Sequence, residues 1–213
     1  MPVGEDALLT ARAVLWKAVG RGWAYPDAGL LEVFADGVFE GIIRAAWARV
    51  AGEDDPAAAG LADALRASLT GPVGLAEEHT FLFSGRVRCP PYASSYAADP
   101  DARTRVLGEL GQVLEALRLR PAPDIRDLPD HIGVLMELVG QTLAREAELR
   151  AAGKAEKAAA WQECRRLLVT NYLGEWLDDF SGRLESTARL PFYPALGRFV
   201  VRLRNLEREM LGG

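Results

Sequence analysis

Apolar residues recur at helical spacing along almost the whole chain. From Leu8 the pattern continues through Leu15, Trp16, Val19 and Trp23, one face of a helix that ends before Pro26. Asp27 is placed to cap the next helix, which carries Leu30, Leu31, Phe34, Val38, Ile42 and Trp47. Gly37 and Gly41 weaken its middle and predict a break there. A turn at 52–56 leads into an Ala-rich helix to about Leu69, and Gly71-Pro72 precedes a short helix to about Phe83. Residues 84–98 read as an irregular loop, because Pro90 and Pro91 exclude helix and impose an extended course. Helices are predicted over about 101–118, from Pro129 to near Gly153, over 154–173, from Glu175 to about Leu184, and over 193–210. No segment sustains apolar–polar alternation, so the predicted fold is all-α, a single-domain helical bundle over residues 1–213 with one core using Trp16, Leu31, Met136, Leu168 and Phe199. The proline-rich stretch 121–129 is read as a bridge between two halves of one bundle, with a sub-division there left open.

Composition narrows the function. The chain has 213 residues, 49% hydrophobic and 26% charged, which is globular and not disordered. The net charge of −5 argues against a nucleic-acid partner and suits a basic peptide. Two cysteines far apart, Cys89 and Cys164, fit free thiols in a reducing compartment. The first residues lack a signal-peptide pattern and no run is apolar enough to span a membrane, so the expected location is cytoplasmic.

Two segments depart from plain amphipathic helix, EHTFLFSGRVRCPPYASSY at 78–96 and LPDHIGVLMEL at 128–138. They hold the only two histidines, His79 and His131. Pro91, Tyr92 and Tyr96 offer a stiff loop with broad contact area, suited to one wall of a peptide site; the same residues also suit a loop whose tyrosines cap the core. Asp130 falls in the expected first turn of a helix, where the dipole alone stabilises a carboxylate. The functional alternative is that Asp130 and His131 hydrogen-bond a peptide and pair with its arginines. Adjacent on a helix, their side chains diverge and do not suit a hydrolase relay. His79, Cys89, His131 and Cys164 could supply a metal set, but none has zinc-site spacing. No phosphate loop, nucleophile elbow or H-E-x-x-H occurs. Neither an enzyme activity nor a metal or other cofactor is expected.

These residues resemble the TorD/DmsD/NarJ family of molybdoenzyme assembly chaperones, closest to the branch serving DMSO-reductase-type dehydrogenases and reductases. CPPYASSY at 89–96 is similar to that branch's Cys-Pro-Pro-Tyr-Glu loop, LFSG at 82–85 to the Leu-Phe-x-Gly before it, and PDHIGVLMEL at 129–138 to its Pro-Asp-His helix. NYLGEWLDDF at 171–180 and PFYPALGRFV at 191–200 resemble its C-terminal helices. The resemblance runs over about 78–210. Ala93 and Leu135 stand where the family usually has Glu, Glu137 keeps the second Glu of that helix, and Asn171-Tyr172 replaces an acidic-His pair.

The resemblance implies a cytoplasmic, all-helical, non-enzymatic chaperone. Its partners would be the apo catalytic subunit of a molybdopterin oxidoreductase and that subunit's twin-arginine leader, held until the cofactor is inserted. Family leader-binding positions fall on Leu82, Phe83, Asp130 and His131, with His79 replacing an aromatic. Leu82 and Phe83 would receive the leader's apolar run and an exposed Asp130 would answer its arginines. The alternative is a helical scaffold or regulatory protein that uses the Pro-Tyr loop for a stable partner; a metal- or haem-handling enzyme is a third, weaker reading.

Overall fold

In a computed structural model, residues 4–116, 119 and 127–212 are described. Ten α-helices follow one another: α1 (Glu5–Arg21), α2 (Ala28–Ala35), α3 (Val38–Ala51), α4 (Ala57–Leu69), α5 (Leu75–Phe83), α6 (Pro100–Ala116), α7 (Ile132–Ala151), α8 (Ala155–Leu167), α9 (Trp176–Thr187) and α10 (Phe192–Met210). No strand forms among the described residues; the one β-type pairing is an isolated antiparallel bridge, Tyr92 with His131. The expected all-α class holds. The 121–129 linker lies mostly outside the described residues.

Local chemistry sets the breaks. The Asp27 carboxylate accepts from the Leu30 N–H at 2.9 Å and caps α2, as its position predicted. Gly37, at φ +73°, separates α2 from α3 in a conformation that side chains with a Cβ rarely adopt. The helix expected over 154–173 is not uniform. After Leu167 the chain makes a π turn at Leu168–Tyr172, closed by the Leu173 N–H on the Leu168 carbonyl at 2.8 Å. Here the Thr170 hydroxyl donates to the Arg166 carbonyl, competing with the backbone donor.

Buried apolar residues from α1 to α10 form one cluster. Trp16, Met136, Leu168 and Phe199 lie in it as expected, whereas Leu31 is only half-buried. In α2 it is Leu30 and Phe34, four residues apart, that face inward. The helices α1 and α7 approach along a seam of glycines. A Cβ on Gly20 would lie 3.1 Å from Met136 Cβ, and one on Gly140 would lie 2.6 Å from Lys17 Cγ. A Cβ on Gly133 would sit 3.1 Å from the Gly20 carbonyl oxygen. Larger residues would force the two helices apart and displace the start of α7.

A charged network is buried with the apolar core. The Arg12 guanidinium donates to Glu207, with Nε–Oε2 at 3.1 Å, and Trp16 Nε1 also donates to Glu207 at 3.3 Å. Arg165 Nε lies 2.8 Å from Glu207 and its other end pairs with Glu146, to which Arg150 adds a contact at 2.7 Å. Arg12, Glu146, Arg165 and Glu207 balance in charge, which is the condition under which buried ions are tolerated. The network joins α1, α7, α8 and α10.

Candidate functional site

The loop after α5 is anchored at both ends. At its start, the N–H groups of Arg88 and Cys89 both donate to the Leu82 carbonyl at 3.0 Å, with Gly85 at φ +62° turning the chain. The Cys89 side chain is fully buried. At its end, the Ala93 N–H donates to the Asp130 carbonyl at 3.1 Å and the Ile132 N–H to the Pro91 carbonyl at 2.8 Å. These two bonds make the Tyr92–His131 bridge. Pro90 and Pro91 have no N–H to satisfy, so extended chain can lie here without orphan donors. The two segments singled out in the sequence therefore meet directly.

The helix begins three residues later than Pro129 suggests, at Ile132. His131 is the N-cap of α7, its Nδ1 accepting from the Gly133 N–H at 3.2 Å. That bond requires the tautomer with the proton on Nε2. The Tyr92 ring meets the His131 ring at 5.2 Å, and the Tyr92 hydroxyl donates to Asp127 at 3.2 Å. Burial holds the His131 pKa below its ordinary 6.5, against the opposing pull of Asp127 and Asp130.

Asp130 differs from the exposed first-turn carboxylate that was expected. It precedes the cap, is wholly buried, and its Oδ2 accepts from the Ser94 N–H at 2.9 Å. It ties the short 3₁₀ turn Ala93–Tyr96 to the start of α7. Among the described residues its Oδ1 and the buried Ser94 hydroxyl have no partner. Leu82 is likewise fully buried, so its apolar side chain belongs to the core and its carbonyl serves the loop.

His79 stands beside this junction. Its Nε2 donates to the Trp23 carbonyl at 3.3 Å, and its ring packs edge-on to Phe83 at 4.9 Å and to Tyr25 at 5.4 Å. Burial lowers its pKa; the Trp23 carbonyl raises it, His131 lowers it and Asp127 raises it. The two histidines thus share one electrostatic neighbourhood. Phe83 is half-buried among His79, Trp23 and Tyr193. Tyr96 turns elsewhere, stacking on Trp176 at 5.3 Å beneath the Arg183 guanidinium. Its burial pushes the phenol pKa well up, and among the described residues the hydroxyl has no partner.

Pro91, Tyr92, Asp130 and His131 therefore form one junction, with His79 and Phe83 adjacent and Leu82 and Tyr96 set apart from its exposed face. Asp127 and Tyr25 complete that face, and neither stood out in the sequence. Asp127 lies in a linker, while Tyr25 is a lone aromatic before a proline. The cysteines are buried and unpaired, and burial pushes Cys164 up to about 11. Among the described residues no group of three or more His, Cys, Asp or Glu side chains is gathered as a metal set, and no helix is long and apolar enough to cross a membrane.

A helical frame that presents a stiff, aromatic junction of two remote segments defines an all-α binding protein. The family of nitrate reductase delta subunits matches residues 49–181, more than half of the chain and both junction segments. The chain belongs to this family of NarJ/TorD-type chaperones, which assemble molybdoenzymes and act on their catalytic subunits without being enzymes. No curated protein matches it.

Proposed function

We propose that this chaperone works in the cytoplasm, where it binds the twin-arginine leader and the apo catalytic subunit of a molybdopterin oxidoreductase. It holds that subunit until the molybdenum cofactor is in place and then releases it for export, serving a client of the DMSO-reductase type. The observation that carries this reading is the Tyr92–His131 bridge, which turns two segments 39 residues apart into one surface. His131, Tyr92, His79 and Phe83 provide the contact face, and Pro91, expected to join them, is buried and supports the face through its carbonyl. Asp130 and Leu82 hold that face in place from beneath, a role different from direct contact. The acidic balance of the chain, −5 overall, favours a leader that carries arginines.

Titration of the purified chain with a synthetic leader, followed by calorimetry, tests the reading. Binding should weaken as salt rises, because the Debye length falls from about 10 Å at 0.1 M to about 3 Å at 1 M. A chain that ignores leader peptides while holding a mature subunit would be a scaffold, and the leader reading would be wrong.

A further inference from the structure

We infer that the binding surface is a directional strip with a carboxylate at one end and an apolar groove at the other. It runs from Asp127, across the rings of His131 and His79, to the groove beside Tyr25, and it selects a cationic residue followed by an apolar stretch. This rests on the leader reading and specifies which residues meet which part of the peptide.

Asp127 is the exposed carboxylate at the junction; Asp130 is not. The Tyr92 hydroxyl donates to Asp127 Oδ1 at 3.2 Å and fixes its side chain. Among the described residues no other hydrogen bond and no ion pair reaches this carboxylate. A fixed, solvent-facing carboxylate beside two aromatic-type rings is suited to a guanidinium, which pairs with the carboxylate and stacks on ring faces. At the other end, Tyr25 is 55% exposed and packs edge-on to His79. It borders a groove of about 370 Å³ whose walls also include Ala76, Thr80 and Phe81, with the Glu77–Arg189 ion pair on its rim. His79 is the link: its ring touches Tyr25, and it donates to the carbonyl of Trp23, whose N–H bonds the Gly20 carbonyl against which Gly133, beside the His131 cap, is packed.

Charge gives the strip its direction. The Phe81 ring carries two guanidiniums, Arg88 at 4.0 Å and Arg189 at 4.2 Å from its centroid. Arg189 is paired with Glu77 and Glu78, and Arg88 donates to the Phe81 carbonyl at 2.9 Å. Two guanidiniums and two carboxylates balance at this end, so a cationic residue of the peptide gains nothing there, whereas at Asp127 it meets a carboxylate that no ion pair among the described residues answers. Apolar side chains gain by covering Tyr25 and Ala76.

The test is a mutant cycle with the full chain. Wild type, Asp127→Asn and Tyr25→Ser are titrated with a synthetic peptide bearing two adjacent arginines three residues before ten apolar residues. A control peptide carries glutamine in place of both arginines. Both substitutions are on exposed side chains, and Asn keeps an acceptor for Tyr92. Asp127→Asn should lose about tenfold or more in affinity for the arginine peptide and almost nothing for the glutamine peptide. Tyr25→Ser should lose about fivefold for both peptides, with no change in salt dependence. Equal losses for both peptides in Asp127→Asn, or wild-type binding by Tyr25→Ser, would overturn the strip while leaving leader binding intact. A wild-type chain that does not bind the arginine peptide would instead overturn the leader reading itself.

Discussion

Replacing Asp130 by alanine should damage the fold more than the binding surface. Its Oδ2 is the acceptor for the Ser94 N–H at 2.9 Å, and both groups are buried. Truncation leaves that N–H without a partner, at a cost of about 1–3 kcal/mol. For a chain of this size each kcal/mol shifts Tm by about 2–4 °C, so a fall of about 2–12 °C is expected. Asp130→Asn retains an acceptor oxygen and should fall by less. The backbone bonds Ala93 N–H to Asp130 O and Ile132 N–H to Pro91 O do not involve the side chain. The Tyr92–His131 bridge should therefore persist in the folded fraction, and leader affinity there should change by no more than about threefold. Thermal melts and calorimetric titration of the same samples check both halves. An unchanged Tm together with a tenfold loss of affinity would mean that Asp130 reaches the ligand itself, and the positioning role would be wrong.

Three further outcomes are expected. Glu207→Ala should cost about 3–5 kcal/mol in urea unfolding, because it strands Arg12 in the core and leaves Arg165 with Glu146 alone, whereas Arg66→Ala, which breaks only surface pairs with Glu40 and Asp63, should leave the unfolding midpoint nearly unchanged. Leu82→Ala should cost about 2–5 kcal/mol, since the side chain is fully buried; a neutral effect would return Leu82 to the binding face. Both histidines have folded pKa values below 6.5, so the unfolded chain takes up protons first; their contribution is complete above that value and is lost as pH falls through it toward the folded values. His131→Asn, which keeps a capping acceptor for Gly133, should flatten the decline of stability between about pH 7.5 and 5, and an unaltered slope would exclude His131 as a source.

The helices were legible because burial follows a period of 3.6 residues, and that period survives in the sequence. Gly37 was legible as a break for the same local reason. The junction was legible in outline, since Pro90 and Pro91 cannot be helical and a histidine sat in each segment. Its orientation was not. Whether Asp130 or Asp127 faces solvent depends on where α7 starts, and the ends of a helix are its least sharply defined part. His131 competed successfully for the cap, which turned Asp130 inward. The α1–α7 glycine seam was invisible because nothing local marks Gly20 and Gly140 as contact points, and only the partner helix gives them a purpose. The buried ion network was equally hidden, because Arg12, Arg165, Glu146 and Glu207 look like solvent-facing charges until four helices converge.

The start of α7 is fixed by independent constraints that share no side chain. Gly20 and Gly133 let α1 close on it, the Pro91 carbonyl and Ala93 N–H hold it to the loop, and His131 supplies its cap. A surface held this way has little freedom left to lose when a peptide arrives. Under the proposed leader binding, the entropy of ordering then falls on the peptide, which as an extended chain has no fold of its own to lean on. That cost lowers net affinity without lowering the selectivity set by fixed groups such as Tyr92 and Asp127. For the recognition and later release proposed above, a rigid receptor with a flexible ligand is the arrangement that separates those two demands. Loosening the receptor, for example by Gly20→Ala, should therefore cost affinity through added ordering on the chaperone side, even though Gly20 lies on α1 and outside the proposed strip.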